Sequence, residues 1–237
     1  MKNNTDKIMV AIDVSDVESA KKLIKTLYPR VKFFKIGLEL INTGKAPELV
    51  NFIHGLGARV FYDIKLNDIP NTVGKAVKVI SGFGVEMLTI HASSGSDAIR
   101  SAVKNRGQSK IIGVTVLTSL KERDCRNIFG NTSLKKVIQF ADMLLKNGAD
   151  GMVCSVVEAR IIRKLKRFKN FMIITPGIRP AWAENNDQER MATPREAILA
   201  GADYLVIGRP IIKPPQSIGS SIRAVQLVIE EIEKVMR

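Results

Sequence analysis

The chain has 237 residues, 45% hydrophobic and 25% charged, which supplies a full apolar core and excludes a disordered polymer. Its formal net charge of +14 draws anions. The basic residues are scattered, however, and one Trp with three Tyr gives no aromatic platform for stacked bases, so a small phosphorylated ligand is favoured over nucleic acid. Cys125 and Cys154 lie too far apart for a disulfide framework or a cysteine zinc site. With no apolar leader and no run of membrane-spanning length, a cytoplasmic protein without membrane attachment is expected.

Eight short β-rich runs follow one another along the chain. "KIMVAID" at 7–13 comes first, and the "DVSDVES" after it lacks glycine. Ser15 and Glu18 stand at capping-box spacing before an amphipathic helix. "FFKIGLE" at 33–39 is second. His54, in "NFIHGLG", sits where a helix C-terminus would place a capping side chain. "RVFYDIKL" at 59–66 ends in Asp63 and Lys65, and Asn67, Asp68, Pro70 and Asn71 then dictate a turn. "MLTIHA" at 87–92 and "KIIGVTVL" at 110–117 are the fourth and fifth.

A helix over "SLKKVIQFADMLLKNGAD" places Leu134, Val137, Ile138, Ala141 and Leu145 on one face and stops at Gly148. "GMVCSV" at 151–156 is the sixth run. "RKLKRFKN", from Arg163, then interleaves charge with Leu165 and Phe168 as a solvated amphipathic helix does. "FMIITPGI" at 171–178 and "DYLVIGR" at 203–209 complete the set. The C-terminal helix carries Ile222, Val225, Ile229 and Ile232 on one face.

Several runs are nearly unbroken in Val, Ile, Leu and Phe, the pattern of parallel strands covered on both faces. Eight of them alternating with helices in 237 residues predict an α/β protein, a single (β/α)8 barrel domain over residues 1–237. A doubly wound open sheet is the alternative, but it usually carries a Gly-rich first turn.

Barrels of this kind carry their reactive residues at the C-terminal strand ends. Those ends are Asp13, Lys35, Asp63 with Lys65, His91, Thr118, Ser155, Gly177 with Arg179, and Gly208 with Arg209. Strand alternation turns Asp63 and Lys65 the same way, with Lys35 on the neighbouring strand and Asp68 in the following loop. An alternating Lys–Asp–Lys–Asp array there can deliver a proton and focus charge. One such pair alone would be read as a structural ion pair; the convergence of Lys35 and Asp13 favours chemistry. Arg179 and Arg209, each next to a backbone-exposing glycine, suit a phosphate at the loops after strands seven and eight. The polar stretch between them reads as a closing loop that carries Gln188. His91 is by default a hydrogen-bonded structural residue and Cys154 a core residue. No second His or Cys stands at metal-ligand spacing.

These residues resemble one known family over essentially the whole chain, the orotidine 5′-monophosphate decarboxylases. "DIKLNDIPNT" fits that family's Asp-x-Lys-x-x-Asp-Ile-Pro-Asn-Thr signature, and "VAIDV", "FFKIG", "VTVLTS", "TPGIRP", "DQER" and "VIGRPI" follow in the family's order. The resemblance implies a cofactor-free enzyme, with no metal, that converts orotidine 5′-monophosphate to UMP in pyrimidine synthesis. Asp63, Lys65, Lys35 and the partner subunit's Asp68 would form the charged array, with Lys65 protonating C6. Asp13 and Lys35 would hold the ribose, Thr118 the base, and Arg179, Gln188, Gly208 and Arg209 the phosphate. Ile69 and Thr72 would also reach substrate, Thr72 from the second subunit of a homodimer. A metal-dependent sugar-phosphate decarboxylase or aldolase of the same barrel superfamily is the alternative. Such relatives place an acidic magnesium ligand where this chain has Lys35.

Overall fold

The computed structural model describes residues 4–183 and 191–236. All eight expected strands are present: β1 (Ile8–Ala11), β2 (Phe33–Ile36), β3 (Arg59–Leu66), β4 (Met87–His91), β5 (Lys110–Val114), β6 (Gly151–Val153), β7 (Met172–Thr175) and β8 (Tyr204–Ile207). Each pairs in parallel with the next, and β8 returns to β1, so the sheet closes into a barrel with no free edge. Helices alternate with the strands around the outside.

Period-two alternation divides the apolar residues into two layers. Met9, Ala11, Phe33, Phe61, Met87, Ile112, Ile174, Tyr204 and Val206 fill the barrel interior. Ile8, Val10, Ile12, Phe34, Ile36, Val60 and Tyr62 point outward into the larger core beneath the helices. Phe33 meets Tyr204 edge-on at 5.7 Å, and the Arg59 guanidinium covers the Phe33 ring at 4.4 Å. Toward the N-terminal ends the interior is therefore packed, and the strands open only at the other end.

Local expectations fail in three places. The first helix, Val17–Leu27, is capped by Asp16, whose carboxylate accepts the Ser19 N–H at 2.8 Å. It begins one residue later than Ser15 would require, and a carboxylate suits the positive helix end better than a hydroxyl. In the helix Ser133–Lys146 the buried residues are Ser133, Val137, Phe140, Ala141 and Leu144. Leu134, Ile138 and Leu145 lie at the margin of that face, because the sheet selects the angle at which the helix docks. Residues 163–170 contain only a 3-10 turn, Lys166–Phe168. Arg163 leaves solvent to donate to the carbonyls of Phe168, Lys169, Phe171 and Gly201, and Phe168 is fully buried.

The tripeptide Gly-Ala-Asp occurs twice, before β6 and before β8, and does the same work each time. Gly148 and Gly201 turn the chain at φ +80 and +90, conformations that favour glycine. Asp150 then accepts the Ile111 N–H of β5 at 2.8 Å and pairs with Arg106. Asp203 accepts the Ile173 N–H of β7 at 2.9 Å and pairs with Arg163 at 2.6 Å. Each aspartate ties a strand to the one before it. Among the described residues no helix is long and apolar enough to cross a membrane.

Candidate active site

The C-terminal strand ends surround a cavity of about 280 Å³. Phe61, Val114, Val153, Ile174 and Val206 provide apolar lining, and Asp13, Lys35, Asp63, Lys65, Thr118, Arg179 and Arg209 provide the polar groups. Apolar walls with a few converging polar groups are the usual composition of a small-molecule site.

Four charged side chains form a continuous line across three adjacent strand ends. Asp13 Oδ1 lies 3.2 Å from Lys35 Nζ, Lys35 Nζ lies 3.6 Å from Asp63 Oδ2, and the same Oδ2 accepts from Lys65 Nζ at 2.7 Å. The Lys35 and Asp63 side chains are each only 11% exposed. Burying such groups is tolerated because each ammonium has a carboxylate beside it and each carboxylate an ammonium. Gly37 and Gly208 make the crowding possible. A Cβ at Gly37 would stand 2.9 Å from Lys35 Nζ, and one at Gly208 would stand 3.2 Å from Asp13 Oδ2.

Asp63 and Lys65 both reach the cavity; alternation from the interior Phe61 carries Asp63 there, but Lys65 stands where the strand ladder is broken. The β3–β4 register shifts between Tyr62 and Leu66, and Lys65 has φ +55. Among the described residues it is the only non-glycine with positive φ. A bulged, left-handed lysine re-aims its side chain at the expense of backbone strain, an arrangement that recurs at functional sites. The break is bridged by Thr89 of β4, whose hydroxyl accepts the Lys65 N–H at 2.8 Å and donates to Asp63 Oδ1 at 3.0 Å. Sequence reasoning missed Thr89; its one signal is a hydroxyl in an otherwise apolar run, two residues before His91.

On the far side of the cavity, Gly177 turns the chain at φ +76 and Ile178 bridges to Ala192. The Arg179 N–H donates to the Ala192 carbonyl at 2.8 Å, which anchors the backbone that carries this mostly buried arginine. Arg209 opens the short helix Arg209–Ile212 immediately after β8. Both arginines also border a second cavity of about 330 Å³ with Lys213 and Gln216, two residues with no sequence signal.

The structure thus brings Asp13, Lys35, Asp63, Lys65, Thr118, Arg179, Gly208 and Arg209 around one cavity. Asp68, Ile69 and Thr72 are exposed and do not line it. Asp68 instead accepts the Ile69 N–H at 2.7 Å, and within one chain Asp13 takes the outer acidic place in the array. Gln188 lies outside the described residues. Ser155 serves the helix Val156–Ile162 through a capping box with Glu158, so its hydroxyl is committed to local structure. Cys154 is fully buried, with its thiol pushed well up by burial, and is core. His91 is held below its ordinary value, first by burial and then by the Lys65 charge, with Asp63 opposing.

Residues 6–220 match the model of the "Orotidine 5'-phosphate decarboxylase / HUMPS family". The chain is 43% identical over 219 residues to an orotidine 5'-phosphate decarboxylase of Nostoc sp., covering 88% of this chain and 91% of that protein. It is 40% identical over 239 residues to the Moorella thermoacetica protein of the same name, covering 96% and 94%. Among solved structures, an orotidine 5'-phosphate decarboxylase from Lactobacillus acidophilus superposes with a TM-score of 0.82 at 29% identity, over 96% of this chain and 99% of that one.

Proposed function

Because the chain belongs to the orotidine 5'-phosphate decarboxylase / HUMPS family, we propose that it decarboxylates orotidine 5′-monophosphate to UMP in pyrimidine biosynthesis, as a carbon–carbon lyase without a cofactor. The observation that carries this reading is Lys65 Nζ held 2.7 Å from Asp63 in a cavity whose other end presents Arg179 and Arg209. The phosphate lies with the two arginines, and the pyrimidine extends over the apolar lining toward Lys65. Asp13 and Lys35 take the ribose hydroxyls, and Thr118 meets the base.

In the reaction the bond from C6 to the carboxylate carbon breaks and its electron pair stays on C6. The ring delocalises that pair poorly, so the developing anion needs a fixed positive charge close by. The Lys65 ammonium supplies it and then gives its proton to C6, CO2 departs, and solvent reprotonates the amine. Asp63, itself paired with Lys35, holds the ammonium in place before substrate arrives, which removes reorganisation from the chemical step. Gripping the phosphate far from C6 directs binding energy to the transition state. Asp68, Ile69 and Thr72 face outward in one chain and reach the site of a second subunit, so the working unit is a homodimer.

A metal-dependent reaction on a sugar phosphate is less well supported. A divalent cation would need Asp13 and Asp63, and the Lys35 ammonium already lies between them. The test is the ultraviolet change on incubating purified protein with orotidine 5′-monophosphate in EDTA. UMP formation is expected. No turnover, or turnover of a sugar phosphate only on addition of magnesium, overturns the reading.

A further inference from the structure

Thr89 makes two hydrogen bonds for which the reaction as written has no use. Its hydroxyl is fully buried on β4 and touches two groups of β3, the Lys65 N–H at 2.8 Å and Asp63 Oδ1 at 3.0 Å. A hydroxyl has one hydrogen, and a backbone amide can only donate to it. The direction is therefore set: the amide donates to the hydroxyl, and the hydroxyl donates to the carboxylate.

Each half of this relay does something for the array. At the bulge Lys65 has no ladder partner on β4, and an amide left without an acceptor away from water is costly. The Thr89 hydroxyl is the acceptor that lets Lys65 stay at φ +55. On the other side it occupies Oδ1 of Asp63, leaving Oδ2 for Lys65 Nζ at 2.7 Å and Lys35 Nζ at 3.6 Å. One side chain thus restrains both the backbone of the proton donor and the plane of the carboxylate that aims it.

We infer that Thr89 is a positioning residue for the decarboxylation, acting through Lys65 and Asp63 without touching substrate. The inference rests on the reaction assigned above. The competing account is that Thr89 merely fills a strand position, as any β-branched residue does. Thr89→Val separates the two, since it keeps shape and branching and removes only the relay; Thr89→Ser keeps the relay and loses a methyl.

For Thr89→Val a loss of about 100-fold in kcat is expected, with KM and UMP affinity within about threefold of the parent, the signature of misplaced chemistry and intact binding. Thr89→Ser should stay within about fivefold of the parent kcat. A valine variant with near-parental kcat overturns the inference, and so does a serine variant as impaired as valine. If the valine variant does not fold, the serine variant still decides, because an impaired Thr89→Ser refutes the relay. Crystal structures of the parent and the variants provide a second readout that needs no activity. Lys65 should leave the left-handed region, or its ammonium should leave Asp63, in the valine form only; retention of both there overturns the inference. A parent enzyme that makes no UMP would refute the assigned reaction, and the crystallographic comparison would still judge the positioning.

Discussion

Lys65 combines the two unusual properties of the site, a left-handed backbone and a charged side chain turned into a cavity. An L-residue in that conformation costs about 1–2 kcal/mol that glycine does not incur. Lys65→Ala and Lys65→Gly both remove the ammonium, and only alanine keeps the strain. Both should lose UMP formation while retaining the parent circular dichroism. Urea unfolding should find the glycine variant more stable than the alanine variant by about 1 kcal/mol; alanine equal to or better than glycine would show that the backbone is not strained in solution. His91 makes a pH-dependent prediction. Burial, and then the Lys65 charge, disfavour its charged form in the folded chain, so its folded pKa lies below the unfolded value of about 6.5. Above that value it contributes no slope. As pH falls below it, the unfolded chain takes up the proton first, and stability declines toward the folded pKa. His91→Gln should show a smaller loss of unfolding free energy between neutral pH and pH 5 than the parent.

At the level of elements, β3 is the longest strand and the one whose far end is bent for chemistry, whereas the ties at the N-terminal end are made by short repeats. Asp150 and Asp203 each satisfy a strand N–H and an arginine, which makes them joints between successive units of the barrel. Asp150→Ala leaves the Ile111 N–H and the Arg106 guanidinium short of an acceptor. It should lower stability by about 1.5–3 kcal/mol, with KM for the nucleotide unchanged, because the defect lies at the barrel end away from the cavity. Chemical denaturation and steady-state kinetics on the same variant check both parts. The strands were legible from the chain because buried parallel strands need unbroken apolar runs. The solvated helix expected at 163–170 was not found, since charge spacing cannot reveal that Arg163 turns inward to four carbonyls.

Across the whole molecule, one cavity joins side chains from strands at opposite ends of the sequence, with the charged line on β1–β3 and the arginines after β7 and β8. Arg209→Ala should weaken binding of the nucleotide far more than of the dephosphorylated nucleoside; isothermal titration with both compounds checks it, and equal losses would contradict a phosphate grip. If Asp68 completes the site of a second subunit, Lys65→Ala and Asp68→Ala should each be inactive alone and regain turnover when unfolded and refolded together, because a mixed dimer contains one intact site. By itself the sequence determined the barrel, the set of strand ends and the identity of Asp13, Lys35, Asp63, Lys65, Arg179 and Arg209 as the residues that meet, because periodicity and strand termini are local properties of the chain. Only the tertiary structure decided that Asp13 closes the array within one chain, that Lys65 is left-handed, and that Thr89 joins it to Asp63. Those facts depend on how β3 slips against β4, and a register shift is a relation between two strands that neither strand encodes alone.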